Sequence, residues 1–136
     1  MNFDQFTIKA QKVIEAATEL ARANQQQSIA PVHVLLALLQ NDDSVVPFAL
    51  QKLGIPQGVV QQKTQELIDS YAKVSGGNPF LDNETYKLFD AATAAAKAMK
   101  DEFVAVDHLL LAFAESKDKA SQILRDQGLN KKDLQV

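Results

Sequence analysis

Residues 30–39 read APVHVLLALL and residues 105–114 read AVDHLLLAFA. Both stretches set an Ala, a histidine and an apolar run in the same order, and His33 and His108 stand 75 positions apart. Carried backwards, that offset pairs Lys12 with Lys87, Ala16-Ala17-Thr18 with Ala91-Ala92-Thr93, and Ala21 with Ala96. After one deletion in the next loop, Leu50 meets Leu124 and Gly54 meets Gly128. Ala coincidences weigh little in a chain with 19 alanines, so the His and Gly matches carry the argument. A fixed internal period marks a duplicated structural unit. The copies run about 1–72 and 80–136, joined by a loop over about 73–79 that contains Val74-Ser75-Gly76-Gly77-Asn78-Pro79.

Each copy reads as four helices. Thr7 is a good N-cap, and Ala10, Val13, Ile14, Ala17, Leu20 and Ala21 follow at helical spacing until the polar run after Asn24. Pro31 fits the first position of a second helix that is apolar on nearly every side through Leu39, which places it in the core. Ser44 is the expected cap of a third helix that ends at Gly54, and a fourth runs from about Gln57 to Ala72. The second copy repeats the order: Asp82 as cap, then 83–99, 106–115, 118–127 and a stub from Asn130. The stub is much shorter than its counterpart, so the reading expects a sequence excised from a longer protein. The expected fold is all-α: an eight-helix, pseudo-two-fold domain made of two tandem four-helix repeats.

Composition bounds the chemistry. The 136 residues fit one domain, and 46% apolar with 23% charged residues suits a globular chain. Nineteen Ala and 14 Gln favour helix, because these side chains lose little entropy there. With no Cys, thiolate nucleophiles, disulfides and Cys-based metal sites are excluded. The net charge is −3 and the closest approach to a basic cluster, Lys131-Lys132, runs straight into Asp133, so nucleic acid is not an expected partner. The longest apolar runs, 34–39 and 109–114, are far short of the ~20 residues that span a bilayer. Met1-Asn2-Phe3-Asp4 lacks the basic start of a signal peptide. The expected location is the cytoplasm, with no membrane partner.

The two histidines invite a metal or catalytic reading. Their equivalent places in the repeat argue instead for a shared structural job, such as bonding a neighbouring loop's carbonyl. Metal sites need three or four convergent ligands, and nothing else is spaced to supply them. No HExxH, Gly-x-Ser-x-Gly or GxxxxGK[ST] pattern is present, so no catalytic residue, metal site or cofactor is expected here. The acids admit two readings. Asp107 favours a helix N-terminus through the helix dipole, or Asp101 and Asp107 rim an apolar surface. Phe3, Phe6 and Phe103 would contribute that surface, unless the first two are packing staples beside the Thr7 cap.

The opening MNFDQFTIKAQKVIEAA (1–17), IAPVHVLLALL (29–39), VAVDHLLLAFAE (104–115) and the two Leu-x-x-x-Gly helix ends together resemble the Clp amino-terminal domain. The form they resemble is that of ClpB-type disaggregases among the AAA+ unfoldases. The resemblance covers essentially the whole chain. It implies an eight-helix domain without chemistry of its own, tethered to ATPase rings that hold ATP and Mg, in a hexameric parent that works with an Hsp70-type co-chaperone system. The domain itself is expected to be a monomer that binds unfolded or aggregated polypeptides. The alternative is an adaptor-docking domain of a Clp protease regulator. The resemblance places a functional Thr at Thr7, an acid at Asp101 before Phe103, and a second acid at Asp107, where Glu is commoner. The expected polypeptide-binding set is thus Thr7, Asp101, Asp107, Phe3, Phe6, Phe103 and Val106. Relatives that recognise phosphorylated arginine carry Glu before both histidines. Val32 stands at the first of those places, so no duplicated phosphoarginine site is expected. Ala30 and Ala105 replace the Ser/Thr caps of the histidine helices, so side-chain capping is lost there.

Overall fold

The computed structural model describes residues 2–74 and 76–134. Ser75 of the expected connecting loop, Met1 of the quoted opening, and Gln135 and Val136 lie outside the described residues. In chain order the elements are α1 (Ile8–Ala23), β1 (Ser28–Ile29), α2 (Pro31–Asn41), α3 (Val45–Lys52) and α4 (Gln57–Ser70), then β2 (Phe80–Leu81), α5 (Asn83–Ala98), α6 (Val106–Glu115), α7 (Lys119–Asp126) and α8 (Lys131–Leu134). The expected all-α architecture and the eight helices are observed among the described residues.

α1 forms because its apolar positions recur at helical spacing and its first turn is capped. Ala10, Val13, Ile14, Ala17 and Ala21 are buried, and Thr7 Oγ1 accepts the N–H of Ala10 at 3.1 Å. α5 repeats this with Asp82 Oδ1 accepting from Thr85 at 2.8 Å, and with Leu88, Phe89, Ala92 and Ala96 inward. Replacing Thr7 by Ala should lower the free energy of unfolding by about 0.5–2 kcal/mol. Urea melts check this, and an unchanged midpoint would show that the cap contributes nothing. α1 packs on α2 and α5 on α6, while α2 also meets α4 and α7, and α6 meets α7, α3 and α8. Because α2 and α6 are each enclosed in this way, they tolerate apolar residues on nearly every side.

Sequence periodicity missed how the copies are joined. β1 pairs in parallel with β2, Ser28 opposite Phe80 and Ile29 opposite Leu81, and Phe6 forms a parallel bridge with Val104. Under the 75-residue offset Phe6 corresponds to Leu81 and Val104 to Ile29, so each copy's entry to its first helix pairs with the other copy's entry to its second. The bonds match as well: Thr7 N–H donates to Val104 O at 2.9 Å and Asp82 N–H to Ile29 O at 3.3 Å. Two-residue strands leave no period to read, and their pairing is long-range. Smaller corrections follow from local geometry. α4 ends at Ser70 rather than Ala72. Ser44 precedes α3 but its hydroxyl does not cap it: Asp42 Oδ2 accepts the Val46 N–H at 2.6 Å, while Ser44 Oγ accepts from Lys9 Nζ at 3.3 Å.

Candidate functional site

The first and fifth helices end alike, and those ends build the polar centre of each copy. Gln25 (φ 56°) and Lys100 (φ 59°) are left-handed residues at equivalent places, so the chain reverses and the next N–H returns to the helix. Gln26 N–H donates to Ala21 O and Asp101 N–H to Ala96 O, each at 2.9 Å. The reversal sets Gln26 beside His33 and Asp101 beside His108. His33 Nδ1 accepts the N–H of Ala30 at 2.9 Å, and His108 Nδ1 accepts that of Ala105 at 2.8 Å. With Nδ1 accepting, the proton sits on Nε2. Nε2 donates to Gln26 Oε1 in the first copy and to Asp101 Oδ2 in the second, both at 2.7 Å.

This arrangement answers two sequence expectations. Ala30 and Ala105 cannot cap through side chains, but each histidine reaches back to the capping residue's N–H as a Glu or Gln does in a capping box. The histidines do share one structural role, yet neither bonds a loop's backbone carbonyl as suggested. Their partners are a side-chain amide and a carboxylate. Burial holds His33 down at about 4 even though the nearby Asp82 charge pulls the other way. Burial also raises the Tyr71 phenol, with Glu84, Asp82 and Asp118 adding to it. Among the described residues no group of three or more His, Cys, Asp or Glu is placed to hold a metal ion, and no helix is long and apolar enough to cross a membrane.

The seven expected binding residues divide. Asp101 and Asp107 converge on His108, the latter with Oδ1 3.7 Å from Nδ1, and both side chains remain about half exposed. Thr7 sits at the Phe6–Val104 bridge, and Phe103, the residue before that bridge, is 45% exposed. Phe6 and Val106 are corrected to core positions: each is almost wholly buried and presents no side chain to a partner. Phe6 is held by edge-on aromatic packing, 5.2 Å from Phe3 and 5.9 Å from Phe89 between ring centroids. Phe3, half-buried, lies 5.5 Å from Phe89 and acts mainly as the outer wall of that cluster.

Sequence reasoning missed an apolar groove. A groove of about 750 Å³ opens between α3, α6 and α8, with Leu110, Leu111 and Ala49 inside it. Val45, Phe48 and Met99 line it while remaining 36%, 69% and 44% exposed. Of the expected residues only Asp107 lines this groove, with Lys52 and Asp133 as the other charged members. The duplication held the signal. Val45, Phe48 and Met99 correspond to Lys119, Gln122 and Asn24, so one copy is apolar where the other is polar.

Residues 5–127 match the family described as the Clp repeat (R) N-terminal domain. The chain is 40% identical over 134 residues to the chaperone protein ClpB of Bacteroides thetaiotaomicron, covering 98% of this chain and 16% of that protein. It is 37% identical over 135 residues to ClpB of Porphyromonas gingivalis, covering 99% and 16%. The chain therefore spans 16% of the length of these relatives. The fold matches the Hsp104 N-terminal domain from Candida albicans with a TM-score of 0.84 at 21% identity, covering 96% of this chain and 87% of that one. It also matches a ClpV N-domain solved in complex with a VipB peptide, with a TM-score of 0.77 at 17% identity, covering 97% and 83%.

Proposed function

The chain belongs to the Clp repeat N-terminal domain family, and from that premise we propose that it is the polypeptide-engaging N domain of a ClpB-type protein-disaggregating chaperone. The observation that carries the reading is the groove: Phe48, Met99 and Val45 exposed along an apolar cleft, with Asp107 on its rim. Grouped apolar side chains left in water mark a surface kept for a partner. Unfolded and aggregated chains offer the exposed apolar side chains that such a cleft takes up, and apolar contact supplies most of the affinity. Asp101 and Asp107 then bias capture towards Lys- and Arg-bearing segments. Thr7, beside the Phe6–Val104 bridge, and the half-exposed Phe103 serve in this reading as a secondary contact.

In this reading the domain performs no chemistry. ATP and Mg serve ATPase domains elsewhere in a longer, hexameric parent, which acts in the cytoplasm with an Hsp70-type system. The whole of 1–136 works as one domain. A second reading, docking of a defined adaptor, draws support from the VipB peptide bound to a ClpV N-domain of the same fold.

The test is an NMR titration of the chain with reduced, carboxymethylated α-lactalbumin, a permanently unfolded protein. Shifts are expected at Val45, Phe48 and Met99, with an affinity of tens of micromolar or weaker, because ordering a flexible client opposes binding. Asp101→Ala and Asp107→Ala should each weaken the preference for basic segments, and that preference should fade at high salt while apolar binding persists. Shifts confined to the face away from the groove, with both variants unchanged, would leave these acids as helix-end groups only.

A further inference from the structure

The end of α4 is fastened to the end of α1 by a row of polar contacts. Gln26 Nε2 donates to Ile68 O at 2.8 Å, Val74 N–H to Gln25 O at 2.7 Å, and Lys73 Nζ to Asn24 O at 3.2 Å. Gln26 also serves α2, because its Oε1 accepts from His33 Nε2. One buried amide therefore couples three elements. With its oxygen committed to the imidazole, its nitrogen is left to donate to Ile68.

His33 is wholly buried, and both ring nitrogens are bonded to neutral groups, the Gln26 amide and the Ala30 N–H. A second proton on Nδ1 would set donor against donor in a site without water, and burial accordingly holds the ring down at about 4. The charged groups around it come from α5 and the start of α7. Asp82 acts on the ring, but its Oδ1 caps α5 by accepting the N–H and hydroxyl of Thr85, each at 2.8 Å. Glu84, Asp82 and Asp118 act on Tyr71, whose ring stands edge-on to the imidazole with 6.4 Å between centroids. Tyr71 is half-buried and residues 72–74 are exposed, so the path from the imidazole to water runs past the end of α4. The second copy differs. Asp101 Oδ2 lies 2.7 Å from His108 Nε2 and Asp107 Oδ1 3.7 Å from Nδ1. A proton added there meets two carboxylates, whereas one added to His33 meets none within hydrogen-bonding distance among the described residues.

We propose that His33, Gln26 and Ile68 form an acid-released latch, in which a proton on His33 Nδ1 frees the end of α4 from α1 and α2 while the second copy stays closed. Once the end of α4 lifts, water solvates the imidazolium, which the closed site cannot do, so proton uptake drives the opening. Release of one helix end breaks far fewer contacts than unfolding the domain, and the packing of α5 on α6 is left intact. It uncovers Ile68, which is wholly buried in the closed state, and so turns core into apolar surface. The latch does not depend on what the domain binds.

Amide hydrogen exchange of the 136-residue chain at pH 7 and pH 4.5 reads the latch, with α5 as the internal reference. Relative to α5, protection over residues 64–70 should fall by up to about 50-fold between the two conditions. That factor follows from a ring that titrates at 6.5 when open and at about 4 when closed. Two variants assign the proton. His33→Gln still accepts the Ala30 N–H but does not titrate. Gln26→Asp gives His33 the carboxylate that Asp101 gives His108, and loses the bond to Ile68 O at either pH. In both variants the relative protection of 64–70 should change by less than about threefold between the two pH values. A full fall in His33→Gln would assign the proton to another group and overturn the latch. A full fall in Gln26→Asp would show that a carboxylate partner does not prevent release, and would overturn the contrast between the copies. Wild-type protection that falls equally in α5, or does not fall at all, would overturn the local opening.

Discussion

Replacing Leu36 with Ala lowers the free energy of unfolding by about 3–5 kcal/mol, and the same change at the equivalent Leu111 lowers it by about 2–3 kcal/mol. Both residues lie on apolar core helices, so a sequence reading assigns them the same cost of about 2–5 kcal/mol. The structure separates them. Leu36 is 1% exposed on α2, which α1, α4 and α7 enclose, so truncation leaves a closed cavity whose lining loses contacts on all sides. Leu111 is 6% exposed and borders the groove, so truncation widens a cleft that water already reaches. The cavity contribution is then smaller, although the transfer contribution remains. Urea unfolding of both variants measures the difference. Equal losses would show that the cleft beside Leu111 is as closed to water as the packing around Leu36.

The same asymmetry explains what could be read from sequence. α1, α2, α5 and α6 were legible because their apolar residues recur at helical spacing and the duplication fixes one against the other. The β1–β2 pairing was not, since Ser28 and Phe80 meet only after the copies assemble. Among the site residues, Asp101 and Asp107 could be singled out as acids near a helix start. Their convergence on His108 depends on the left-handed turn at Lys100, a conformation that Lys does not signal. Phe6 shows the opposite limit. Its position before an N-cap suits either a surface aromatic or a staple, and only the rings of Phe3 and Phe89 around it decide for the core. Phe48 and Met99 were legible in principle, through the polar residues at their counterparts. A search for similarity between copies passes over such positions, because the information lies in the mismatch.

His33 should make the domain less stable as the pH falls from about 6.5 to about 4. Burial lowers the folded-state pKa to about 4, against a model-compound value of 6.5. Above the higher value both states hold a neutral ring and the group adds no pH dependence. Between the two values the unfolded chain takes up a proton that the folded chain refuses, so unfolding is favoured progressively as the pH drops. Below about 4 both states are charged and the loss levels off, at about 3 kcal/mol for a shift of this size. The geometry gives the same direction: protonating Nδ1 would set a second donor against the Ala30 N–H and cost α2 its cap. His33→Gln separates this effect from the carboxylates, which titrate in both proteins. Gln at this position can still accept the Ala30 N–H, as in a capping box, but does not titrate. The variant should be less stable than wild type at pH 7.5, and its urea midpoint should fall less steeply between pH 6.5 and 4. Parallel pH profiles for the two proteins would mean that His33 takes up its proton without opening the contact between α2, Gln26 and the end of α4.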